Sequence, residues 1–188
     1  GNQLTSLDLS ANPILETLGC NYNALAELDV SKNPALSFLD CSRNALTELD
    51  ISKNPQLTYL GCEDNRLTKL DLSANTALQE LYCDQNQLTE LDLSHNVALQ
   101  KLSCNRNQLT SLTVAPLAKL TLLDCGDNQL TALDVSGSTA LVHLYLANNR
   151  LTALDVTQNA ALKWLVCTGN PISELDLRNN PALLHLNC

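Results

Sequence analysis

The sequence predicts a leucine-rich-repeat solenoid built around one parallel β-sheet, and two observations carry that prediction. The first is a 21-residue unit, clearest in LQELYCDQNQLTELDLSHNV between Leu78 and Val97, which repeats along almost the whole chain. The second is that leucine, cysteine and asparagine recur in fixed columns of that unit. A fixed period of this length with this leucine spacing is typical of leucine-rich repeats. Because each repeat can bury its apolar edge only against its neighbours, residues 1–188 should form a single domain of about nine repeats.

The first half of each repeat predicts a short β-strand. Outward and inward positions alternate up to the cysteine column, and a period of two indicates a strand with one buried face. Stacked repeats then place about nine strands in a parallel sheet, roughly 4.8 Å apart. The inward leucines of these strands are Leu18, Leu39, Leu60, Leu81, Leu102, Leu123, Leu144, Leu165 and Leu186.

The second half of each repeat predicts an extended convex side. Its apolar residues fall in three inward columns, which begin at Leu4, Leu7 and Leu9. Neither half has room for a helix of ordinary length, about 11 residues. We therefore predict a right-handed curved coil of the α/β horseshoe class that is mostly β. The repeat is least regular between 113 and 146, where Leu117 and Ser138 replace Asn and Leu146 replaces Cys. Neutral drift is the favoured interpretation, and a local bend that serves a binding site is the alternative.

One asparagine column lies where the chain leaves each strand. An amide side chain has two donor hydrogens and an acceptor oxygen. It can therefore satisfy backbone groups of its own turn and the next one, which a buried loop would otherwise leave unpaired. This column contains Asn23, Asn44, Asn65, Asn86, Asn107, Asn128, Asn149 and Asn170.

All eight cysteines fall in a second column. In-register neighbours would stand about 4.8 Å apart, farther than the roughly 3.8 Å between Cβ atoms that a disulfide prefers. A straight column also cannot surround a tetrahedral zinc ion. We predict small, buried and reduced side chains, which free cysteines commonly are, with all eight inaccessible. They are Cys20, Cys41, Cys62, Cys83, Cys104, Cys125, Cys167 and Cys188.

The consensus L-x-x-L-x-C-x-x-N-x-L-T-x-L-D-L-S-x-N-x-x resembles the bacterial internalin J type of leucine-rich repeat over essentially the whole chain. The resemblance implies a curved solenoid whose cysteine-bearing strands line the concave face. It also implies a secreted or bacterial cell-surface protein that adheres to a host or another cell. Because neither end carries a recognisable cap, we expect the chain to be a fragment of a longer protein.

Charge and composition narrow the classes of partner. The net charge is −9, which opposes binding to nucleic acid or to anionic lipid, since both require basic patches. No apolar run approaches the roughly 20 residues of a membrane helix. No glycine-rich phosphate loop occurs, no Ser or Cys nucleophile is held beside His143 or His185, and His95 lies on the convex half. We therefore predict neither an enzyme nor a cofactor-binding protein.

Aromatic residues and histidines predict a ligand-binding site on the concave face. All six aromatic residues lie in the cysteine-bearing half, and Tyr and Trp dominate binding hot spots. We place the centre of the site at the C-terminal end, with a weaker patch nearer the N-terminus. The predicted site residues are Trp164, Tyr145, His143, His185, Val166, Tyr82, Tyr59 and Phe38.

An acidic column is the rival site. It contains Asp8, Asp29, Asp50, Asp71, Asp92, Asp134, Asp155 and Asp176. Hydrogen bonds with neighbouring Ser and Thr are the favoured interpretation of these residues, and a calcium-binding edge is the minority view. Three functions remain open: a protein-binding module, a glycan-binding surface on which sugars stack, and a passive spacer.

Overall fold

The computed structural model describes residues 1–188 and contains one sheet of nine parallel strands and no helix. The strands are β1 (Thr17–Gly19), β2 (Phe38–Asp40), β3 (Tyr59–Gly61), β4 (Glu80–Tyr82), β5 (Lys101–Ser103), β6 (Leu122–Asp124), β7 (His143–Tyr145), β8 (Trp164–Val166) and β9 (His185–Asn187). They pair in sequence order, and each residue pairs with the one 21 positions later, as Leu81 does with Leu102. The predicted repeat, sheet and register are confirmed. None of the chain forms a helix that could cross a membrane.

Only the first half of each repeat forms a strand, although both halves bury leucines in one core. The central strand residue is a leucine and is buried in eight of the nine strands, while its two neighbours point outward. The second half adds buried leucines to the same core. It joins the preceding repeat through a single backbone hydrogen bond, such as Ala45 N to Leu25 O at 2.8 Å. The sheet therefore occupies one side of the solenoid only.

The asparagine column after the strands makes the backbone contacts that the sequence predicts. Asn65 Nδ2 donates to Cys62 O in its own turn and to Cys41 O in the preceding repeat, both at 3.1 Å. Its Oδ1 accepts from Leu46 N at 3.0 Å. Each amide side chain thus pairs with one backbone N–H and with backbone carbonyls, and it links its own repeat to the preceding one.

A second asparagine column was not explained by the sequence. In Asn75, Nδ2 donates to Ile51 O at 3.1 Å and to Asn54 O at 2.9 Å. The Oδ1 atoms of this column are buried and have no hydrogen-bond partner, so these side chains act only as donors. The six residues concerned are Asn33, Asn54, Asn75, Asn96, Asn159 and Asn180.

The irregular stretch between 113 and 146 is accommodated inside the regular coil. Leu117 and Leu146 are fully buried, so apolar residues replace the usual Asn and Cys without opening the core. Ser138 keeps the donor function, because its Oγ donates to Val114 O at 2.9 Å. A Cβ at Gly137 would collide with the backbone carbonyl of Ala115. Glycine at position 137 is therefore required by the close approach of the preceding repeat, although it lies in the stretch for which neutral drift was the favoured interpretation.

Seven of the eight cysteines are buried, and all eight are free thiols. The prediction that all eight are inaccessible is wrong for Cys188, which is exposed. Cys188 follows the edge strand β9, which pairs with β8 only. Burial raises the pKa of the interior thiols, to about 11 for Cys20 and further for Cys41. Since the thiolate is the reactive form, the buried thiols should be inert.

We expect one thiol of the native protein to react rapidly with a chromogenic disulfide reagent and the other seven to react only after unfolding. The reason is the burial of every cysteine except Cys188. The measurement is a thiol count with and without denaturant at pH 7.5. Replacing Cys188 with Ser is the control and should abolish the fast phase. Rapid labelling of several thiols without denaturant would contradict the buried column.

Candidate functional site

The outward face of the sheet carries all eight predicted site residues. They occupy the two outward positions of the strands. Phe38, Tyr59, His143, Trp164 and His185 share the first position, and Tyr82, Tyr145 and Val166 share the second. His185 is exposed and the other seven are partly exposed. The structure therefore brings these residues to one face, in two separate groups.

The C-terminal group is a stack of rings on β7, β8 and β9. The Trp164 indole lies between the imidazoles of His143 and His185, with ring centroids 4.8 and 4.7 Å apart. His143 also faces Tyr145 on its own strand, at 6.4 Å. The register pairs His143 with Trp164 and Tyr145 with Val166. We call His143, Trp164 and His185 the C-terminal stack.

The N-terminal group is a second stack. Phe38 and Tyr59 lie almost parallel, with centroids 4.3 Å apart and an interplanar angle of 11°. Tyr82 is tilted by 41° against Tyr59, at 5.6 Å. Its hydroxyl donates to Glu80 Oε2 at 3.0 Å, and Glu80 pairs with Lys101 at 3.0 Å. Phe38, Tyr59 and Tyr82 form the N-terminal stack.

The strand spacing determines how these rings meet solvent. Rings on adjacent rungs stand about 4.8 Å apart, close to the distance at which aromatic rings stack. Each ring in the middle of a stack therefore has both faces covered by its neighbours. Trp164 is the clearest case, with an imidazole on each side at interplanar angles of 28° and 18°. The outward face of the sheet presents ring edges, and the indole ring has no open face on which a sugar could lie.

Three carboxylates lie beside the N-terminal stack. Asp40 accepts from Ser42 Oγ and from Asn21 Nδ2, both at 2.6 Å. Asp84 accepts from Ser103 Oγ at 2.6 Å and from Asn105 N at 2.8 Å. The third carboxylate, that of Glu63, has a buried Oε2 atom with no hydrogen-bond partner.

Gly61 lets two of these carboxylates approach each other. A Cβ at Gly61 would lie 3.2 Å from Glu63 Oε2 and 3.3 Å from Asp40 Oδ1, and 3.3 Å from the Tyr59 ring. Burial raises the pKa of Glu63, and the charges of Asp40 and Asp84 add to that shift. Burial, together with Glu63, Asp40 and Glu80, also raises the pKa of Tyr59 to about 12. The surface between β2 and β4 is thus both aromatic and strongly negative.

Charge is distributed unevenly along the outward face. Seven acidic residues lie on the strands β2–β6 and the turns that follow them, namely Asp40, Glu63, Asp64, Glu80, Asp84, Asp124 and Asp127. Three basic residues, Arg43, Lys101 and Arg106, share that region. From β7 to the end of β9 the outward face carries no acidic residue. The face therefore has an acidic half and a neutral half, each with its own aromatic stack.

The rival acidic column is an exposed and locally hydrogen-bonded feature. Asp92 Oδ1 accepts from Ser94 N at 2.9 Å, and the other members repeat this contact two residues on. Bonds from Ser94 lower the pKa of Asp92, and an arginine, Arg178, lowers the pKa of Asp176 to about 2. Each carboxylate is thus satisfied by its own turn. No group of three or more candidate ligands in the chain could hold a metal ion.

Three contributors to the face were missed by sequence reasoning. Glu63 and Asp84 stand past the strands, in a column that also contains Asn, Ser, Gly, Ala and Thr, so no repeated residue type marked it. Arg43 lies 4.4 Å from the Tyr22 ring centroid, a contact between adjacent repeats. Aligning the turn residues of successive repeats by the 21-residue period, as was done for the strand residues, could have identified them.

No protein-family model matches the sequence, and no curated protein does. Among solved structures, the functional domain of InlJ from Listeria monocytogenes, described as including a cysteine ladder, is 39% identical with a TM-score of 0.80. The leucine-rich-repeat protein LIC12759 of Leptospira interrogans is 25% identical, with a TM-score of 0.78. An internalin, InlF, from Listeria monocytogenes is 23% identical, with a TM-score of 0.87, and shows the fold alone.

These matches cover nearly all of the present chain but only part of the matched ones. They span 97%, 98% and 97% of this chain, respectively. They span 46%, 58% and 57% of the corresponding solved chains. The similarity therefore concerns the repeat region, in which both the fold and the cysteine column are shared with InlJ.

Proposed function

The chain belongs to the bacterial leucine-rich-repeat proteins with 21-residue cysteine-ladder repeats of the internalin J type, and on that premise we propose that it is a non-enzymatic protein-binding module. Its partner would lie on the outward face of the sheet, which the family resemblance makes the concave face. A role in adhesion at the bacterial surface, or after secretion, is part of the proposal. The matched proteins from Listeria and Leptospira support a bacterial setting.

The C-terminal stack is the observation that carries this proposal. Three rings are held in place by stacking on adjacent rungs, so they lose little conformational freedom when a partner binds. Rigid aromatic side chains at the centre of a surface are where binding energy concentrates. Tyr145 and Val166 enlarge the same patch on the second outward position. A protein partner can contact ring edges, the indole N–H and the apolar side chains together.

A glycan-binding surface is the second candidate, and the ring geometry counts against it. Sugar rings stack on an open aromatic face, whereas the faces of Trp164 are covered by His143 and His185. A passive spacer would not need partly exposed rings collected on one face of the sheet. We therefore favour a protein partner for the outward face.

We expect Trp164→Ala to weaken the binding of a protein ligand by about 2 kcal/mol, or roughly 30-fold in Kd. The probe is a set of 12-residue peptides selected against the folded protein from a random displayed library and measured by calorimetry. The substitution removes two ring–ring contacts, each worth about 1 kcal/mol, so the protein should lose some stability but remain folded.

The matched control is Asp92→Ala, which alters the opposite side and should leave peptide affinity unchanged. A glycan array screened with the same protein provides the second arm. Two outcomes would refute the proposed function. One is peptide binding that depends on Asp92 rather than Trp164, and the other is saturable glycan binding that Trp164→Ala abolishes.

A further inference from the structure

We infer that the partner is a protein that places an extended segment along the outward face, with Arg or Lys side chains over β2–β4 and an apolar group over β7–β9. This inference rests on the proposed function and adds the chemistry of the partner and its placement. It follows from the two aromatic stacks, one of which lies in the acidic half of the face and the other in the neutral half. A segment that matched only one of them would leave the other half of the face unused.

The acidic half is suited to a cationic side chain. On β2–β4 and the turns that follow lie one basic residue, Arg43, and five acidic residues, Asp40, Glu63, Asp64, Glu80 and Asp84. Of the five, Glu80 is already paired with Lys101 on β5, at 3.0 Å. The one basic residue is already engaged, since Arg43 lies over the Tyr22 ring and 3.9 Å from Asp64.

The Glu63 carboxylate is the centre of this half. Its buried Oε2 has no hydrogen-bond partner, and Glu63 Oε2, Asp40 Oδ1 and the Tyr59 ring all lie within 3.3 Å of the point where a Gly61 Cβ would stand. The two carboxylates repel each other, and Arg43 offsets only part of the negative charge around Glu63. A guanidinium or ammonium group from a partner would reduce the repulsion that remains. An arginine is favoured because its planar fork binds carboxylates and also packs on aromatic side chains.

The neutral half is suited to an apolar side chain. Its outward residues on β7–β9 include Trp164, Tyr145 and Val166, with no carboxylate among them. Lys163 is the one fixed charge beside this stack, and it disfavours a second basic group there. Charge complementarity therefore fixes the direction in which a segment lies along the solenoid.

The spacing of the two halves sets the length of the segment. Five strand intervals separate β3 from β8, which is about 24 Å at the usual strand spacing. An extended chain rises about 3.3 Å per residue. The basic and apolar groups of the partner should therefore be about seven residues apart.

The test is an NMR titration of the isotopically labelled protein with two small probes. Binding of each probe is observed as changes in the backbone amide resonances. N-acetyl-arginine amide should shift the amides of Tyr59, Gly61 and Tyr82, and N-acetyl-leucine amide should shift those of His143, Trp164 and Val166. The combined Asp40→Asn and Glu63→Gln variant should raise the Kd of the arginine probe about two- to fivefold. In the unmodified protein, 0.5 M NaCl should weaken the binding of the arginine probe. This measurement does not require the variant to fold.

The matched control removes the same charge elsewhere, by Asp92→Asn combined with Asp134→Asn, and should leave the arginine probe unaffected. The inference is overturned if the arginine probe shifts the Asp92 column or binds nowhere. It is also overturned if calcium chloride occupies the β2–β4 region more tightly than the arginine probe. If the arginine probe fails but the library peptides still depend on Trp164, the further inference is wrong and the proposed function stands. If the peptides also bind independently of Trp164, both proposals are wrong.

Discussion

Raising the pH from 7 to 10 is expected to lower the free energy of unfolding by about 7 kcal/mol, because five buried thiols cannot ionise in the folded protein. Burial raises the pKa of these thiols above the ordinary value of 9.0. The five are Cys41, Cys62, Cys83, Cys104 and Cys125. In the unfolded chain the same thiols ionise near pH 9.

The direction of the effect follows from where the protons bind. A thiol whose folded pKa is raised holds its proton more tightly in the folded state than in the unfolded state. Its stabilisation is fully present below the unfolded pKa of about 9 and is lost as the pH rises from there towards the folded pKa. At pH 10 each unfolded thiol gains about 1.4 kcal/mol from ionisation, and five such thiols give the stated total.

Urea unfolding at pH 7 and at pH 10, with a reductant present, measures this difference. The control is Cys104→Ala, which removes one of the five thiols. The variant should be less stable than the parent at pH 7, because it leaves a small cavity, but its deficit should shrink by about 1.4 kcal/mol at pH 10. Equal stability at the two pH values would show that these thiols are accessible to solvent in the native protein.

The sequence predicted the features that repeat in every rung. The spacing of Leu78, Leu81 and Cys83, repeated in each unit, predicted the strands and their register, since a slip of one residue would turn buried leucines such as Leu81 outward. The family resemblance supplied the expectation of a cysteine-lined coil, which InlJ shares. These features depend on composition within one repeat, so they can be recognised without coordinates.

Features that depend on two particular repeats were not predictable in the same way. The approach of Ala115 to Gly137 arises from one irregular turn meeting the next. The meeting of Asp40 and Glu63 likewise joins the end of a strand in one repeat to a turn in the next. Cys188 matches its column in sequence, yet it is exposed after the edge strand β9, where no further repeat packs against it. The predicted site residues lie together on the outward face of the sheet, because they share the two outward strand positions.

The two asparagine columns look alike in sequence, and the hydrogen bonds separate them. Asn107 uses both ends of its amide, since Nδ2 donates to Cys83 O and Cys104 O and Oδ1 accepts from Leu88 N. Asn96 donates to Leu72 O and Asn75 O, while its Oδ1 has no partner. The chain itself replaces the second kind twice, at Leu117 and Ser138, and never the first kind. An amide whose acceptor is unused is the easier one to substitute.

Replacing Asn107 with Ala should therefore lower the free energy of unfolding by about 3 to 5 kcal/mol, since it leaves the Leu88 N–H unpaired and removes two donor hydrogen bonds. The carbonyls of Cys83 and Cys104 keep one partner each, from Asn86 and Asn128. Asn96→Ala is the matched control, equal in the atoms removed, and should cost about 1 to 3 kcal/mol less because no backbone N–H is left unpaired. Chemical denaturation of both variants, with Gln87→Ala as an exposed reference, gives the comparison. Equal losses for Asn107→Ala and Asn96→Ala would mean that the acceptor bond to the Leu88 N–H contributes nothing, and the distinction between the two columns would fail.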